Sequence, residues 1–440
     1  MSNTGAMEPR MQNSMLTHDV LVIGGGPAGS TIAALLASRG KSVILVEKDT
    51  HPRFHIGESL LPFNIPLLDR LGVLAQVKAI GMQKFGIEFI SPHHDKPSVL
   101  EFGAGWYKDM DYAFQVRRAE FDDILLRNAA AKGAEIVEAH RITDVEFSQT
   151  SAVIARATGA DGTPRHFSAR FVVDASGRDT FLAGRLRVKE RNRRHASAAV
   201  FGHFVNAERL EGRAEGHISI FWFDKGWFWF IPLADGTTSV GAVCAPETVK
   251  SRGDDISALF DALIARCPAL KKRLAQATRV GAATGTGNYS YSTTRMVGDR
   301  YLLVGDAGGF IDPVFSTGVY LAMHGAERAA EAVAVYLATP ARARGALRQF
   351  ERETRSELNR FSWFIYRMTR PAIRSLFMAP RNYFRIEEAV LALLSGDVGV
   401  NSPIRSRLTL FKGLFYLKTC FISAKTVGTR LFLRTGRFGS

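Results

Sequence analysis

Residues 18–49 read HDVLVIGGGPAGSTIAALLASRGKSVILVEKD, and this stretch decides the fold. The apolar run Val20–Ile23 has the length of a buried strand and leads directly into three consecutive glycines. A run rich in Ala and Leu, Ala28–Ser38, follows and stops before Gly40, which predicts a helix. A second apolar strand then ends at Glu47. The order of strand, glycine-rich turn, helix and strand predicts a βαβ unit.

The glycine-rich turn carries the chemistry of this unit, because it matches the pattern G-x-G-x-x-G. Glycine lets the backbone turn tightly and approach a pyrophosphate, whose charge is stabilised at the positive N-terminus of the helix. An acid at the end of the second strand is placed to accept hydrogen bonds from ribose hydroxyls. The pattern predicts a Rossmann-type dinucleotide site, and its candidate cofactor-binding residues are Gly24, Gly26, Pro27, Ala28, Gly29 and Glu47.

Two later segments connect the chain with a known family. The run Asp174–Gly177 (DASG) follows an apolar strand, and Gly305-Asp306-Ala307 follows another. With the first motif, this order resembles the FAD-dependent monooxygenases and halogenases of the para-hydroxybenzoate hydroxylase type, over about residues 18–345. The resemblance implies that FAD is the cofactor, with Asp306 at the ribityl chain. It also implies that Arg118, in the segment FQVRRAEFD, contacts the ribityl–phosphate region.

Two segments favour the halogenases within that superfamily. Trp227–Pro232 (WFWFIP) fits W-x-W-x-I-P, a halogenase signature, and would place Trp227 and Trp229 in the substrate pocket. The same alternation is also typical of any strand with aromatic residues on one face. HIGESLLP is followed by GMQKFG, which is similar to the halogenase element with the active-site lysine, here Lys84. Taken alone, a lysine is most often a solvated surface residue.

The resemblance implies a reaction as well as a fold. FADH2 from a separate reductase reacts with dioxygen, and chloride or bromide is converted to hypohalous acid. A lysine ammonium can position that oxidant, or the amine can capture it as a haloamine. In halogenases the backbone amides of S-[ST]-G hold the halide, which corresponds here to Thr317 and Gly318. The alternative is that this loop simply contacts the flavin.

The chain departs from the tryptophan halogenases at Phe315, because those enzymes carry a glutamate before Ser-Thr-Gly. The segment PRNYFRIEEAVLALLSGDV is instead similar to halogenases of pyrroles and phenols, some of which act on carrier-bound substrates. The predicted substrate is therefore an electron-rich aromatic small molecule, free or on an acyl carrier protein, with Phe315 in the pocket. The rival hypotheses are a single-component aromatic hydroxylase, a reductase of the geranylgeranyl reductase type, and a non-enzymatic flavin scaffold.

Composition limits the remaining possibilities. The 440 residues are 46% hydrophobic, and no apolar run approaches the roughly 18–20 residues that span a bilayer. The polar, Met-rich residues 1–17 predict a disordered leader rather than a signal peptide, and a cytoplasmic location. Three scattered cysteines match no metal-binding spacing, so no metal is predicted. They are Cys244, Cys267 and Cys420.

Net charge is +15, and the last 40 residues carry eight basic side chains and no acidic one. This basic tail predicts contact with an acidic partner or peripheral contact with an anionic membrane, or else packing of its Phe and Leu residues onto the body. Nucleic acid is not predicted, because no recognition motif accompanies the charge. The basic residues are Arg405, Arg407, Lys412, Lys418, Lys425, Arg430, Arg434 and Arg437.

The predicted class is α/β: a Rossmann-type FAD-binding domain, an inserted antiparallel β-sheet substrate domain, and a helical C-terminal cap. The FAD-binding domain comprises residues 18–80, 112–195 and 295–345, because the motifs that build it are separated along the chain. Residues 81–111 and 196–294 form the sheet domain, where alternation is strongest at 197–245. Residues 346–440 form the helical region with the basic tail.

Overall fold

A computed structural model describes residues 17–147, 152–192, 195, 197–224, 226–250, 255–312, 314–397 and 401–435. The predicted leader lies outside these residues, except for Thr17, where the first strand begins. The strands are β1 (Thr17–Ile23), β2 (Val43–Val46), β3 (Met82–Lys84), β4 (Gly86–Ile90), β5 (Ser98–Glu101), β6 (Ala113–Gln115), β7 (Glu135–Val137), β8 (His140–Phe147), β9 (Val153–Gly159), β10 (Pro164–Asp174), β11 (Lys189–Arg191), β12 (Ser197–Val205), β13 (Ile218–Phe223), β14 (Gly226–Pro232), β15 (Thr238–Cys244), β16 (Thr278–Tyr289), β17 (Tyr291–Thr293), β18 (Val297–Gly298), β19 (Tyr301–Leu303) and β20 (Gly309–Phe310).

Helices alternate with the early strands and dominate the C-terminal part. They are α1 (Pro27–Ala37), α2 (Asn64–Leu71), α3 (Leu74–Ile80), α4 (Arg118–Ala131), α5 (Phe181–Arg185), α6 (Pro246–Lys250), α7 (Ile256–Ala265), α8 (Pro268–Arg273), α9 (Thr317–Ala338), α10 (Pro340–Ile365), α11 (Pro371–Met378), α12 (Ile386–Ser395) and α13 (Ser402–Thr435). α7 and α8 are separate helices, because Pro268 cannot donate the backbone hydrogen bond that would continue the first.

The first sheet has the order β18-β19-β10-β1-β2-β7, with β9 and β8 continuing from β10. β1 pairs in parallel with both β2 and β10, and β10 pairs in parallel with β19. Alternate residues of β1 enter the cores on opposite faces of the sheet, Val20 and Val22 on one side and Leu21 on the other. Burial on both faces explains the uninterrupted apolar sequence of this strand. The predicted Rossmann-type sheet is confirmed.

The second sheet has the order β16-β12-β15-β14-β13-β4-β5. Its neighbours are antiparallel except for β13 and β4, which run parallel, so the predicted antiparallel sheet is in fact mixed. Trp227 and Trp229 face one side with the C-terminal helices, whereas Phe228 and Phe230 face the other side with α7. A ribbon of β3 and β6 adjoins this sheet at the β3–β4 connection. The predicted boundary at residues 345/346 falls inside α10.

The helical C-terminal region packs mainly on the tryptophan-bearing face of the second sheet. On α13 one face is buried, including Phe411 and Phe415, while Leu417 on another face is 70% exposed. Packing thus accounts for only part of the apolar tail. Arg437 lies outside the described residues, and for the basic residues from Lys425 onward only the helical backbone is described. Among the described residues, no helix has the length and apolarity needed to cross a membrane.

Candidate active site

A cavity of about 820 Å³ is lined by both sheets. The first sheet contributes the carboxyl ends of β1, β2 and β10, where the loops of a parallel sheet leave room for a ligand. The second sheet contributes side chains of β13 and β14. The volume falls within the roughly 300–1,000 Å³ of typical ligand pockets. The cavity therefore brings the predicted dinucleotide site and the aromatic strand together.

The glycines at the three fixed positions of the pattern G-x-G-x-x-G, which are Gly24, Gly26 and Gly29, have different surroundings. Gly24 has φ +102°, and a Cβ on it would lie 2.5 Å from the Ala175 carbonyl oxygen. A Cβ on Gly29 would lie 1.9 Å from the Gly24 carbonyl oxygen, so this residue is needed for packing of α1 on β1. A Cβ on Gly26 would meet only an Arg53 nitrogen at 3.7 Å and would point into open space. Of these three glycines, only Gly26 has free space beside its Cα that no protein atom occupies, so a ligand can enter there.

Glu47 follows β2 and is buried on the cavity wall. Its Oε2 accepts a hydrogen bond from the Gly25 amide, and its Oε1 accepts one from the Asp49 amide at 2.9 Å. These bonds fix the carboxylate beside the glycine-rich turn. The predicted spacing of turn and acid is thus explained by a direct contact between them.

Arg118 begins α4 and lies on the cavity wall, where it forms a bidentate ion pair with Asp122 at 2.7 and 2.9 Å. Its remaining nitrogen donates to the carbonyl oxygens of Ile56 and Gly57. Burial alone would raise the pKa of Asp122, but the charges of Arg118 and Arg53 hold that pKa below its ordinary value. Arg118 therefore anchors the loop that follows β2, as well as lining the cavity.

Asp306 lies in the turn after β19 and reaches the same cavity. Burial raises the pKa of this carboxyl to about 6, and the nearby charges of Arg178 and Arg118 limit the rise. The Tyr291 hydroxyl donates to the Asp306 carbonyl at 2.9 Å and holds the turn in place. An acid in this position can accept hydrogen bonds from ligand hydroxyls.

Lys84 is completely buried at the end of β3. Its Nζ donates to Ser59 Oγ at 2.9 Å and to the Leu60 carbonyl at 2.6 Å, and it lies 5.3 Å from the Phe102 ring centroid. Burial lowers the pKa of Lys84 to about 7, so amine and ammonium coexist near neutral pH. Lys84 is not on the cavity wall, whereas Ser59 is. One hydroxyl therefore separates the lysine from the cavity.

Trp227 and Trp229 lie on the cavity wall, on the same face of β14. The Trp229 indole nitrogen donates to Ser239 Oγ on the neighbouring strand at 3.1 Å. The indole passes over Gly241, where a Cβ would lie 2.1 Å from a ring carbon. Gly241 thus lets a large ring lie flat across the sheet and form one side of the cavity.

The predicted halide loop lies at the start of α9. Ser316 has φ +58° and precedes Thr317, the first residue of the helix. Ser316 and Gly318 line the cavity, while Thr317 is buried just behind them with no hydrogen-bond partner for its Oγ1. The first amides of an α-helix have no partner within the helix. The loop therefore presents a helix N-terminus to the cavity.

Phe315 does not line the cavity. It is buried and stacks on Phe377 of α11, with ring centroids 6.2 Å apart, so its side chain fills the core beneath the loop. Gly29, Lys84 and Thr317 also lie off the wall. The other predicted site residues meet on it, namely Gly24, Gly26, Pro27, Ala28, Glu47, Arg118, Asp306, Gly318, Trp227 and Trp229.

Several residues on or beside the cavity wall carry no motif of their own. Arg53 pairs with Asp122, and Arg178 donates to Thr286 and to the Gly287 carbonyl. Glu58 belongs to the segment HIGESLLP, but the resemblance of this segment to halogenases did not predict Glu58 as a site residue. Among the described residues, no group of three or more His, Cys, Asp or Glu side chains could hold a metal ion.

The sequence matches the family model for tryptophan halogenase over residues 19–109 and 103–371. A tryptophan 2-halogenase of Chondromyces crocatus is 38% identical over 338 residues, covering 71% of this chain and 60% of that protein. A Pseudomonas fluorescens chlorinase of 1H-pyrrole-2-carbonyl groups on a peptidyl-carrier protein is 30% identical over 404 residues, covering 87% and 89%. This chain thus spans less than two thirds of the Chondromyces relative.

The solved structure of the myxobacterial chondrochloren halogenase CndH, an FAD-dependent halogenase, has a TM-score of 0.77 at 37% identity. The superposition covers 88% of this chain and 92% of that one. Halogenases of this kind are FAD-dependent oxidoreductases that use FADH2 and a halide, and an aromatic substrate and a separate flavin reductase are typical of them. The matched family model and the Pseudomonas relative show that the chain belongs to the tryptophan halogenase family of flavin-dependent halogenases.

Proposed function

We propose that this chain places chlorine or bromine on an electron-rich aromatic of the phenol or pyrrole type, through hypohalous acid. One observation carries the proposal: a single cavity extends from the glycine-rich turn to the face bearing Trp227 and Trp229, and Lys84 lies one hydroxyl behind its wall. A hydroxylase has no evident use for a buried lysine that only neutral groups accompany. The arrangement suits an oxidant that must be held before it meets a ring.

The residues at the turn fit FAD. Gly26 leaves space beside the N-terminus of α1 for a pyrophosphate, and Glu47 and Asp306 offer acceptors for sugar and ribityl hydroxyls. When bound in its reduced form, FAD would supply two of the four electrons that dioxygen accepts, and the halide would give up the other two as it becomes hypohalous acid, with water as the second product. The chain itself contributes the binding, the exclusion of water and the positioning of the oxidant.

Lys84 is proposed to hold the oxidant. Ser59 and Leu60 accept two of its N–H groups, and the Ser59 hydroxyl, on the cavity wall, can in turn donate to a ligand. With a pKa of about 7 the free amine is also available at neutral pH and can capture the halogen as a haloamine. In either case the apolar surroundings, including Phe102, exclude water that would otherwise carry the oxidant away.

Two further observations support the proposed substrate class. Phe315 stands where the tryptophan halogenases that this chain resembles carry a glutamate, and its ring fills the core, so tryptophan itself is not the proposed substrate. The Pseudomonas relative acts on a pyrrole held by a peptidyl-carrier protein and matches nearly the whole chain. We therefore include a carrier-bound pyrrole among the proposed substrates, with the basic residues of α13 as the contact for an acidic carrier.

The proposal is tested by incubating the protein with a flavin reductase, NADH, FAD, air and sodium bromide. A panel of phenols, a carrier-bound pyrrole-2-carbonyl thioester and tryptophan serve as substrates, and mass spectrometry detects the product. We expect a brominated phenol or pyrrole, recognised by the bromine isotope doublet. A hydroxylated product that forms without bromide, together with NADPH oxidation by the protein alone, would instead identify a hydroxylase.

The halide is proposed to bind the backbone amides of Thr317 and Gly318. Proline is common at the first position of a helix, so Thr317→Pro removes one amide donor there. Because proline disfavours the left-handed conformation of Ser316 before it, the conformation of the loop has to be checked in this variant. Losing one such donor costs about 1–3 kcal/mol, which corresponds to an increase of roughly 5- to 150-fold in the bromide concentration needed for half-maximal rate. Steady-state rates against bromide concentration measure this effect.

Thr317→Ala is the matched control, because it keeps the amide and removes a hydroxyl that has no partner. We expect its bromide dependence to match the wild type. FAD affinity is measured for both variants to show that the loop keeps its conformation. If the proline variant and the control had the same bromide dependence, the halide would not bind at these amides.

A further inference from the structure

Glu58 and His203 form a buried carboxylate–imidazole pair beside the cavity. Glu58 lies in the loop between β2 and α2 and is only 3% exposed. His203 Nε2 lies 2.7 Å from Glu58 Oε1, and because a carboxylate can only accept, the ring nitrogen is the donor. The second carboxylate oxygen, Oε2, is buried and has no hydrogen-bond partner. A buried acceptor without a donor is rare in folded proteins and calls for an explanation.

The pair lies next to the aromatic wall. His203 is two residues after Phe201 on β12, so both side chains point to the face of the sheet that bears Trp229. His203 is directly opposite Ser239 on β15, and Ser239 accepts the hydrogen bond of the Trp229 indole. Glu58 is also one of the residues that line the cavity. A molecule bound in this part of the cavity can therefore bring the missing donor to Oε2.

We propose that Glu58 Oε2 accepts a hydrogen bond from an O–H or N–H group on the aromatic ring of the substrate, with His203 as the residue that positions the carboxylate. The inference rests on the proposed function and narrows it. Phenols and pyrroles that keep a free O–H or N–H are bound well. O-methyl and N-methyl analogues leave Oε2 unpaired and are rejected, since a site built to bind a donor discriminates strongly against ligands that lack it.

The other acids on the cavity wall are less suited to this contact. Glu47 already accepts from two backbone amides at the glycine-rich turn, and the proposed function assigns its remaining acceptor capacity to the sugar of FAD. Asp49 and Asp179 are each paired with a basic side chain. Asp306 lies in the turn after β19, on the side of the first sheet. In Glu58, one oxygen is fixed by His203, the other has no partner, and the residue lines the same cavity as Trp227 and Trp229.

The test measures binding rather than turnover, so it does not depend on halogenation. Protein loaded with oxidised FAD is titrated, without halide, with two pairs of ligands: phenol against anisole, and pyrrole against N-methylpyrrole. Flavin fluorescence or calorimetry reports the dissociation constants. We expect the wild type to prefer the donor-bearing member by about tenfold or more, and Glu58→Leu to lose that preference. Glu58→Gln keeps volume and an acceptor but loses charge, so it should retain a reduced preference.

Gln115→Leu is the matched control, because Gln115 is also buried and also has an unpartnered oxygen, but it does not line the cavity. Its ligand preference should equal that of the wild type. If Glu58→Leu does not fold, the reduced preference of Glu58→Gln decides the question. No preference in the wild type, or a preference that survives Glu58→Leu, overturns the inference. A Glu58→Leu variant that loses FAD instead of ligand preference would assign Oε2 to the cofactor.

The outcome separates this inference from the function on which it rests. If the product assay yields no halogenated compound while the binding preference is present and depends on Glu58, the proposed function fails and the ligand contact stands. If halogenated product forms and the methylated ligands bind equally well, the function stands and the role of Glu58 is wrong.

Discussion

Replacing Lys84 with methionine is expected to lower the rate of halogenated product by about 100- to 1,000-fold, the usual effect of removing one preorganised donor from an active site. FAD binding and oxygen consumption should persist, because Lys84 does not line the cavity and contacts the loop only through Ser59 and Leu60. Methionine fills a similar buried volume without a charge. Product formation is measured by mass spectrometry and oxygen uptake with an electrode.

The control is Lys78→Met, because Lys78 is exposed on α3 and the change removes the same charge from the surface. We expect this variant to halogenate at the wild-type rate. If Lys84→Met and Lys78→Met both retained most of the halogenating activity, the buried lysine would have only a structural role. The hydroxylase hypothesis would then have to be considered again.

The pH dependence of the free energy of unfolding provides a second test of Lys84→Met. Burial lowers the folded-state pKa to about 7, below the value of 10.5 expected for the unfolded chain. Between these values the unfolded chain binds the proton more tightly, so this residue makes the protein more stable as pH rises from about 7 toward 10. The wild type should gain about 1.4 kcal/mol per pH unit relative to Lys84→Met in this window, and nothing below it. Urea unfolding at several pH values measures the difference.

The sequence predicted those parts of the site that depend on local geometry. Gly24 is required by its φ of +102°, and Gly29 by its close contact with the Gly24 carbonyl within the β1–α1 turn. Glu47 reaches this turn because parallel strands end at the same edge of a sheet. Lys84 was predicted through its motif as an active-site lysine, yet its partners Ser59 and Leu60 were not predictable from the pattern. These contacts arise from the ribbon of β3 and β6, which brings the lysine beneath Ser59.

What the sequence did not reveal depends on contacts between distant segments. Glu58 and His203 are 145 positions apart and meet only because the loop after β2 crosses the face of the second sheet. Phe315 was predicted to line the pocket from its place in the loop. Its ring turns instead to Phe377 of α11, a helix whose docking the loop sequence does not encode. A motif locates a backbone position, whereas the direction of a side chain depends on its partners.

Gly26→Val is expected to weaken FAD binding by at least about 100-fold while leaving the stability of the FAD-free protein nearly unchanged. A Cβ there meets no protein atom closer than 3.7 Å, and the backbone of Gly26 is extended, so valine fits the protein alone. Valine is a poorer N-cap than glycine, at a cost of about 1 kcal/mol or less. It occupies the space through which the pyrophosphate approaches the backbone.

Gly29→Ala should behave differently, because its Cβ would lie 1.9 Å from the Gly24 carbonyl oxygen, a backbone atom that cannot move aside alone. The β1–α1 turn must shift, so both FAD affinity and the melting temperature of the FAD-free protein should fall. Gly345→Ala is the control: it lies within α10 with open space around it and should be neutral or slightly stabilising, by up to about 1 kcal/mol. Fluorescence titration with FAD and thermal melts of the FAD-free proteins separate the three variants. If Gly26→Val bound FAD as tightly as the wild type, the pyrophosphate would not lie at this turn, and the cavity would hold the cofactor in another orientation.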